Sequence, residues 1–254
     1  MKNDPISMTL LGKDGKPRSG VQDAIMKAIG VQRPLVLAYI KRLRKKHPEA
    51  TTAQLAAIAE RDYLRVVTGS GAAVGGTAAV PAVGTGVALG LSVAATLGFL
   101  EASALYAQSL AELHGIAIDD PDRSRVLVMG IMMGEEGSSM ISGLTSQVAG
   151  RGGGPIQGWA RSFGIGKSKT VYSSVQRALQ KKFLRKIIGT QAASTLGRLV
   201  PFGVGAAIGG VGNRYMAKRV IENAGVAFAG IPTIAPSSLP LDDPRVIEAE
   251  IVED

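Results

Sequence analysis

The stretch Gly69–Glu101, GSGAAVGGTAAVPAVGTGVALGLSVAATLGFLE, constrains this chain more than any other, because it belongs to a run with no charged side chain from Val66 to Leu100. Such a run is a membrane span, a phosphate-binding loop or a pair of closely packed helices. The limb before Pro81 is roughly 15 residues, short of the ~20 a helix needs to cross a bilayer. The limb after it reaches that length only by tolerating several glycines and Glu101. Gly86, Gly90, Ala94 and Gly98 recur at every fourth position, which puts them on one helix face and opens a groove for another backbone. Glycine costs about 1 kcal/mol in a helix interior, so the row implies a return in packing.

A second segment repeats the pattern. In GTQAASTLGRLVPFGVGAAIGG, Gly189, Ala192, Ala193, Val200 and Pro201 align with Gly69, Ala72, Ala73, Val80 and Pro81 at constant offset. After the prolines a one-residue deletion brings Gly203, Gly205, Ala207 and Gly209 into line with Gly84, Gly86, Ala88 and Gly90. Each copy reads as helix, proline turn, glycine-spaced helix. The predicted fold is all-α: a compact helical bundle around two such hairpins, with Gly86, Gly90, Gly98, Gly205 and Gly209 at close backbone contacts.

Helix boundaries elsewhere follow local signals. RPLVLAYIKRLRKK carries Pro34 in its first turn and stops at His47-Pro48. TTAQLAAIAERDYLRVV restarts a helix, with Thr51 and Gln54 at capping-box spacing. Gly115 caps the segment ending AELHG, and Asp120-Pro121 opens DRSRVLVMGIMMGEE. GRGGGP at 150–155 is a breaker. In TVYSSVQRALQKKFLRKII, Val175, Leu179, Phe183 and Ile187 recur every fourth residue. Arg177, Lys181, Lys182, Arg185 and Lys186 take the other faces, which makes a basic amphipathic helix. The domain reading is a polar lead over 1–20, one helical domain over 21–230, and a proline-rich acidic tail over 231–254 that is extended or disordered.

These glycine and proline segments also carry a likeness. YLRVVTGSGAAVGGTAAVPAVGTGVALGLSVAATLGFLEASALYAQSLAELHGI, with RLVPFGVGAAIGGVGNRYMAKRVI, resembles the bacterial EcsC family over roughly Arg61 to Phe228. The resemblance implies a mostly helical fold and membrane association. It brings no catalytic residues with it.

Chemistry is sparse. With Cys 0 and His 2, thiolate nucleophiles and cysteine zinc sites are excluded and a triad is hard to assemble. RSFGIGKS at 161–168 places Arg161 where a P-loop needs its first glycine, and Gly84, Gly86 and Gly90 miss the dinucleotide spacing by one residue. Asp119, Asp120 and Asp122 read first as a helix cap rather than as metal ligands. Glu101 ends the uncharged run and precedes more apolar helix, so a buried ion pair with Arg214 is expected. No catalytic, metal or cofactor site follows from these residues.

The net charge of +9 is unevenly spread. Met1–Arg65 holds roughly +7, Val66–Gly150 roughly −5 and Arg151–Arg219, which contains no acid, roughly +13. Such a block seeks an acidic partner. Aromatics at 4% leave few rings to stack on bases, so nucleic acid ranks last. The N-terminal MKNDPISMTLLGKDGKP has no apolar signal core, so a cytoplasmic location is expected. The leading expectation is a non-enzymatic protein, peripheral on the inner face of the cell membrane, that engages anionic lipid or a membrane protein; insertion of a hairpin is the integral variant. The alternative is an enzyme or binding protein for a lipid or other hydrophobic molecule, with Glu101 in its site.

Overall fold

The computed structural model describes residues 19–77, 85–139, 169–194 and 204–241, and among these every regular element is helical. In chain order they are α1 (Ser19–Ala28), α2 (Arg33–Lys46), α3 (Thr52–Thr77), α4 (Thr85–Leu113), α5 (Pro121–Met133), α6 (Lys169–Ser194) and α7 (Val204–Phe228). A single 3-10 turn follows at Pro236–Ser238. The all-α expectation holds. The proline turns at Pro81 and Pro201, the GRGGGP breaker and RSFGIGKS lie outside the described residues.

Short-range chemistry sets the helix ends. At the start of α3, Thr51 N–H donates to Gln54 Oε1 (2.8 Å) and Gln54 N–H returns a bond to Thr51 Oγ1 (3.2 Å), a reciprocal capping box. Asp120 Oδ1 accepts from Asp122 N–H (2.8 Å) and Arg123 N–H (3.1 Å), and Pro121 fills the first turn of α5. α4 closes on Gly115, whose φ of 75° suits glycine. Ile116 N–H donates to Ala111 O (2.8 Å) and Gly115 N–H to Glu112 O (2.9 Å), the paired bonds of a Schellman closure. A Cβ on Gly115 would also lie 2.6 Å from Ile234 Cγ2.

The helix that restarts at TTAQLAAIAERDYLRVV runs unbroken through GSGAAVGG to Thr77, so the limb read before Pro81 continues it as one element. Its support is tertiary, because α3 packs lengthwise on α7 and on α4. Direction is fixed at both ends. Thr52 Oγ1 and Leu113 O both bond to Ile234, so the start of α3 lies beside the end of α4. Asn213 Nδ2 donates to Val67 O (3.4 Å), so α7 runs antiparallel to α3.

α4 is the central element, touching α1, α2, α3, α5 and α7. From Tyr106 to Leu113 each residue is buried, including Gln108, Ser109 and Glu112. A helix buried all round needs apolar or paired side chains on every face, which is why no simple amphipathic stripe marks it. Tyr63 of α3 stacks on Tyr106 at 4.8 Å, and its hydroxyl meets Ser103 Oγ (2.7 Å), which itself donates to Phe99 O (2.7 Å). One apolar cluster gathers residues from each helix, among them Ile25, Ile40, Leu55, Leu100, Leu127, Phe183 and Ala217.

The tail can be followed over 231–241. This stretch is extended but docked: His114 donates through Nδ1 to Ile231 O (2.6 Å) and stacks on Phe228, Ile234 N–H donates to Leu113 O (3.0 Å), and Leu239 is buried. The acidic end, 242–254, falls outside the described residues.

Candidate functional site

Two places concentrate charge or open space. The first is a buried ion pair, though not the expected one. Glu101 is exposed and so is Arg214, and no ion pair joins them among the described residues. On the same helix Ala94 and Gly98 are exposed as well, next to the buried Phe99 and Leu100. The buried acid is Glu112. Arg33 Nε donates to its Oε1 at 2.6 Å and Nη2 to its Oε2 at 3.1 Å, while Nη1 reaches Asp119 at 2.9 Å. Only 12% of the Arg33 side chain and 6% of the Glu112 side chain are exposed. The hydrogen bond that Arg33 donates to Glu112 holds the guanidinium proton more tightly than usual, against the desolvation that opposes it. This fork ties the first turn of α2 to the last turn of α4 and is structural. The signal for Glu112 was present, since it too stands between apolar neighbours in SLAELH.

The three aspartates near the start of α5 are engaged by the protein. Asp119 receives Arg33, Asp120 caps α5, and Asp122 pairs with Arg125 at 2.9 Å. No group of three or more His, Asp or Glu among the described residues is placed to hold a metal ion.

The second place is the outer side of α6 and α7. Leu179, Phe183, Leu184 and Ile187 are buried, and Arg177, Lys181, Lys182, Arg185 and Lys186 are all exposed. The amphipathic reading of this helix thus describes its observed faces, with Val175 outside the described side chains. Lys181 and Arg185 have no ionic partner among the described residues, and Arg177 bonds only to Ser173 O (3.1 Å). Lys182 pairs with Glu136. That bond, opposed by desolvation and helped by the charges of Lys182 and Lys186, holds the Glu136 carboxyl below the usual carboxylate range. On α7, Arg214, Lys218 and Arg219 are exposed beside the large apolar Val211 and Tyr215, at 69% and 61% exposure.

Between α5, α6 and α7, with Phe99 of α4 contributing, lies an open cleft of about 790 Å³. Phe99, Met132, Met133, Phe183 and Ile187 give it an apolar floor. Lys186 and Arg219 stand on opposite helices at its rim, and Asn223, bonded to Ile131 O (2.9 Å), braces one wall. Sequence reasoning missed the cleft because its walls come from helices far apart in the chain.

The glycine contacts divide. Gly98 is exposed, with no described atom within 4 Å of an added Cβ, so it makes no close helix contact among the described residues; the tight glycines there are Gly115, Gly134 against Asn223, and Gly137 against Gly130. Gly86, Gly90, Gly205 and Gly209 lie in α4 and α7, but their surroundings fall outside the described residues. No helix among the described residues is long and apolar enough to cross a membrane.

The chain matches no protein-family model, no curated protein and no solved structure.

Proposed function

We propose that this is a non-enzymatic, membrane-peripheral helical protein that docks on anionic lipid through the outer faces of α6 and α7, on the cytoplasmic side of the membrane. The observation that carries this reading is the segregation on α6, where five cations face outward over a buried apolar stripe and, among the described residues, Glu136 alone pairs with any of them. Each cation near an anionic bilayer contributes about 1 kcal/mol, and the attraction decays within a Debye length. The exposed Val211 and Tyr215 add apolar and interfacial anchoring beside Arg214, Lys218 and Arg219. The EcsC resemblance belongs to the same proposal, since it too implies membrane association. Glu101, exposed and without an ion pair among the described residues, lends no support to an enzyme built around it.

Co-sedimentation with phosphatidylglycerol vesicles, against phosphatidylcholine vesicles, tests the reading. Binding should be selective for the anionic lipid and weaken as salt rises. Lys181→Gln with Arg185→Gln should reduce it without changing the fold. Equal binding to both lipids, or binding indifferent to salt, refutes it.

A further inference from the structure

We infer that the cleft between α5, α6 and α7 receives one acidic phospholipid molecule, with its phosphate between Lys186 and Arg219 and an acyl chain along the Phe99, Met132 and Phe183 floor. This deepens the membrane reading above and rests on it: the basic face supplies attraction to the surface, and the cleft adds a stoichiometric site. A volume of about 790 Å³ falls within the range of small-molecule sites, roughly 300–1,000 Å³.

The two ends of the cleft differ in chemistry as the two ends of a phospholipid do. The floor has no charge, and its methionines can adapt to a flexible chain. At the rim, neither cation is in a salt bridge with a carboxylate of the described residues. Lys186 Nζ makes one long bond to Met133 O (3.4 Å), and Arg219 bonds to Tyr215 Oη (3.0 Å) while lying 5.9 Å from the centre of that ring. Two acids also line the cleft. Glu136 pairs with Lys182 and acts on Lys186 only through space, and Glu135 is exposed at the start of the helical stretch after Gly134. Glu222 acts on Arg219 only through space. Lys186 and Arg219 are thus the charges left to answer a ligand. A lysine and an arginine on separate helices suit a phosphate, whose oxygens accept from several directions, better than a single planar carboxylate.

The test uses the full chain and dihexanoyl phosphatidylglycerol below its micelle concentration, titrated by calorimetry, with laurate and inorganic phosphate as parallel probes. One-to-one saturable binding of the phospholipid is expected, with laurate and phosphate each at least tenfold weaker. Lys186→Gln with Arg219→Gln should weaken phospholipid binding by about 10-fold or more, the loss of charge-assisted hydrogen bonds. Both side chains are exposed, so the fold should be kept. Met132→Trp, which narrows the cleft without changing its charge, should also abolish monomer binding yet leave vesicle co-sedimentation intact. Lys181→Gln with Arg185→Gln should do the reverse. Absence of saturable monomer binding while vesicles still sediment the protein overturns the cleft site and leaves the surface reading standing. Laurate binding as tightly as the phospholipid, or equal losses in the two lysine–arginine pairs, also overturns it. If neither vesicles nor monomers bind, both readings fail together.

Discussion

Replacing Glu112 by Gln removes one charge and almost no volume, and it should be the most costly conservative change in the described structure. In the parent, two Arg33 N–H groups meet two carboxylate oxygens. In the variant one of them must face the amide nitrogen, so donor meets donor, the other keeps a neutral amide oxygen, and the carboxylate still bonded to the guanidinium is Asp119, whose side chain is 62% exposed. Breaking a buried pair from one side costs about 3–5 kcal/mol, because the surviving charge is left uncompensated. The retained Asp119 contact, worth at most about 1 kcal/mol at that exposure, places the expected loss near the lower end, about 3 kcal/mol. For a chain of this length that corresponds to a fall in Tm of roughly 6–12 °C, read by far-ultraviolet circular dichroism. Asp119→Asn is the control and should cost under about 1 kcal/mol. Arg33→Met combined with Glu112→Met should recover much of the loss, since the expense lies in the orphaned charge rather than in the missing attraction. A Glu112→Gln variant as stable as the parent, or an Asp119→Asn variant equally damaged, would refute the reasoning.

Two further outcomes are expected. Ser103→Ala should destabilise more than Tyr63→Phe in urea unfolding, about 1–3 against about 1 kcal/mol, because the first leaves the buried Tyr63 hydroxyl without its acceptor while the second leaves Ser103 bonded to Phe99 O; the reverse order refutes the assignment. Stability should also fall as pH rises above about 10, where unfolded tyrosines lose their protons. Burial, then the charge of Asp62, pushes the Tyr39 hydroxyl up to about 12, and burial holds Tyr63 and Tyr106 above their ordinary range. The folded state therefore keeps protons that the unfolded state releases, and its advantage is complete below the unfolded value and erodes through the folded one. A urea midpoint unchanged between about pH 9 and 11.5 contradicts this, and Tyr39→Phe should flatten the decline.

What the sequence made legible is what a few neighbouring residues decide. Thr51 with Gln54, Asp120 with Pro121, and Gly115 each set a helix end through contacts within a turn or so, and each could be read before any fold was known. Burial of charge is another matter. Glu101 and Glu112 lie about three turns apart on nearly the same side of α4, both among apolar neighbours. What separates them is the arrival of Arg33, on the first turn of α2, at Glu112, while Glu101 stays exposed. The glycine spacing has the same limit, since period four marks a face but not what covers it, and at Gly98 nothing does. On α6 the alternation of basic and apolar residues was enough because the buried face and the free face differ in charge along its whole middle.

The pairing of α3 with α7 also has a consequence in time. α3 leaves the ribosome long before the helix that covers it, and the clasp from Thr52 to Ile234 closes later still. At roughly 5–20 residues per second, the apolar flank of α3 waits on the order of ten seconds for its mate. During that interval the nascent chain presents Leu55, Tyr63 and Val67 without their final cover, although all three are buried in the finished protein. Synthesis rate and chaperone supply should therefore govern the yield of this protein more than the stability of its completed fold does, and slowing translation between α3 and α7 should lengthen its exposure to aggregation rather than help it fold.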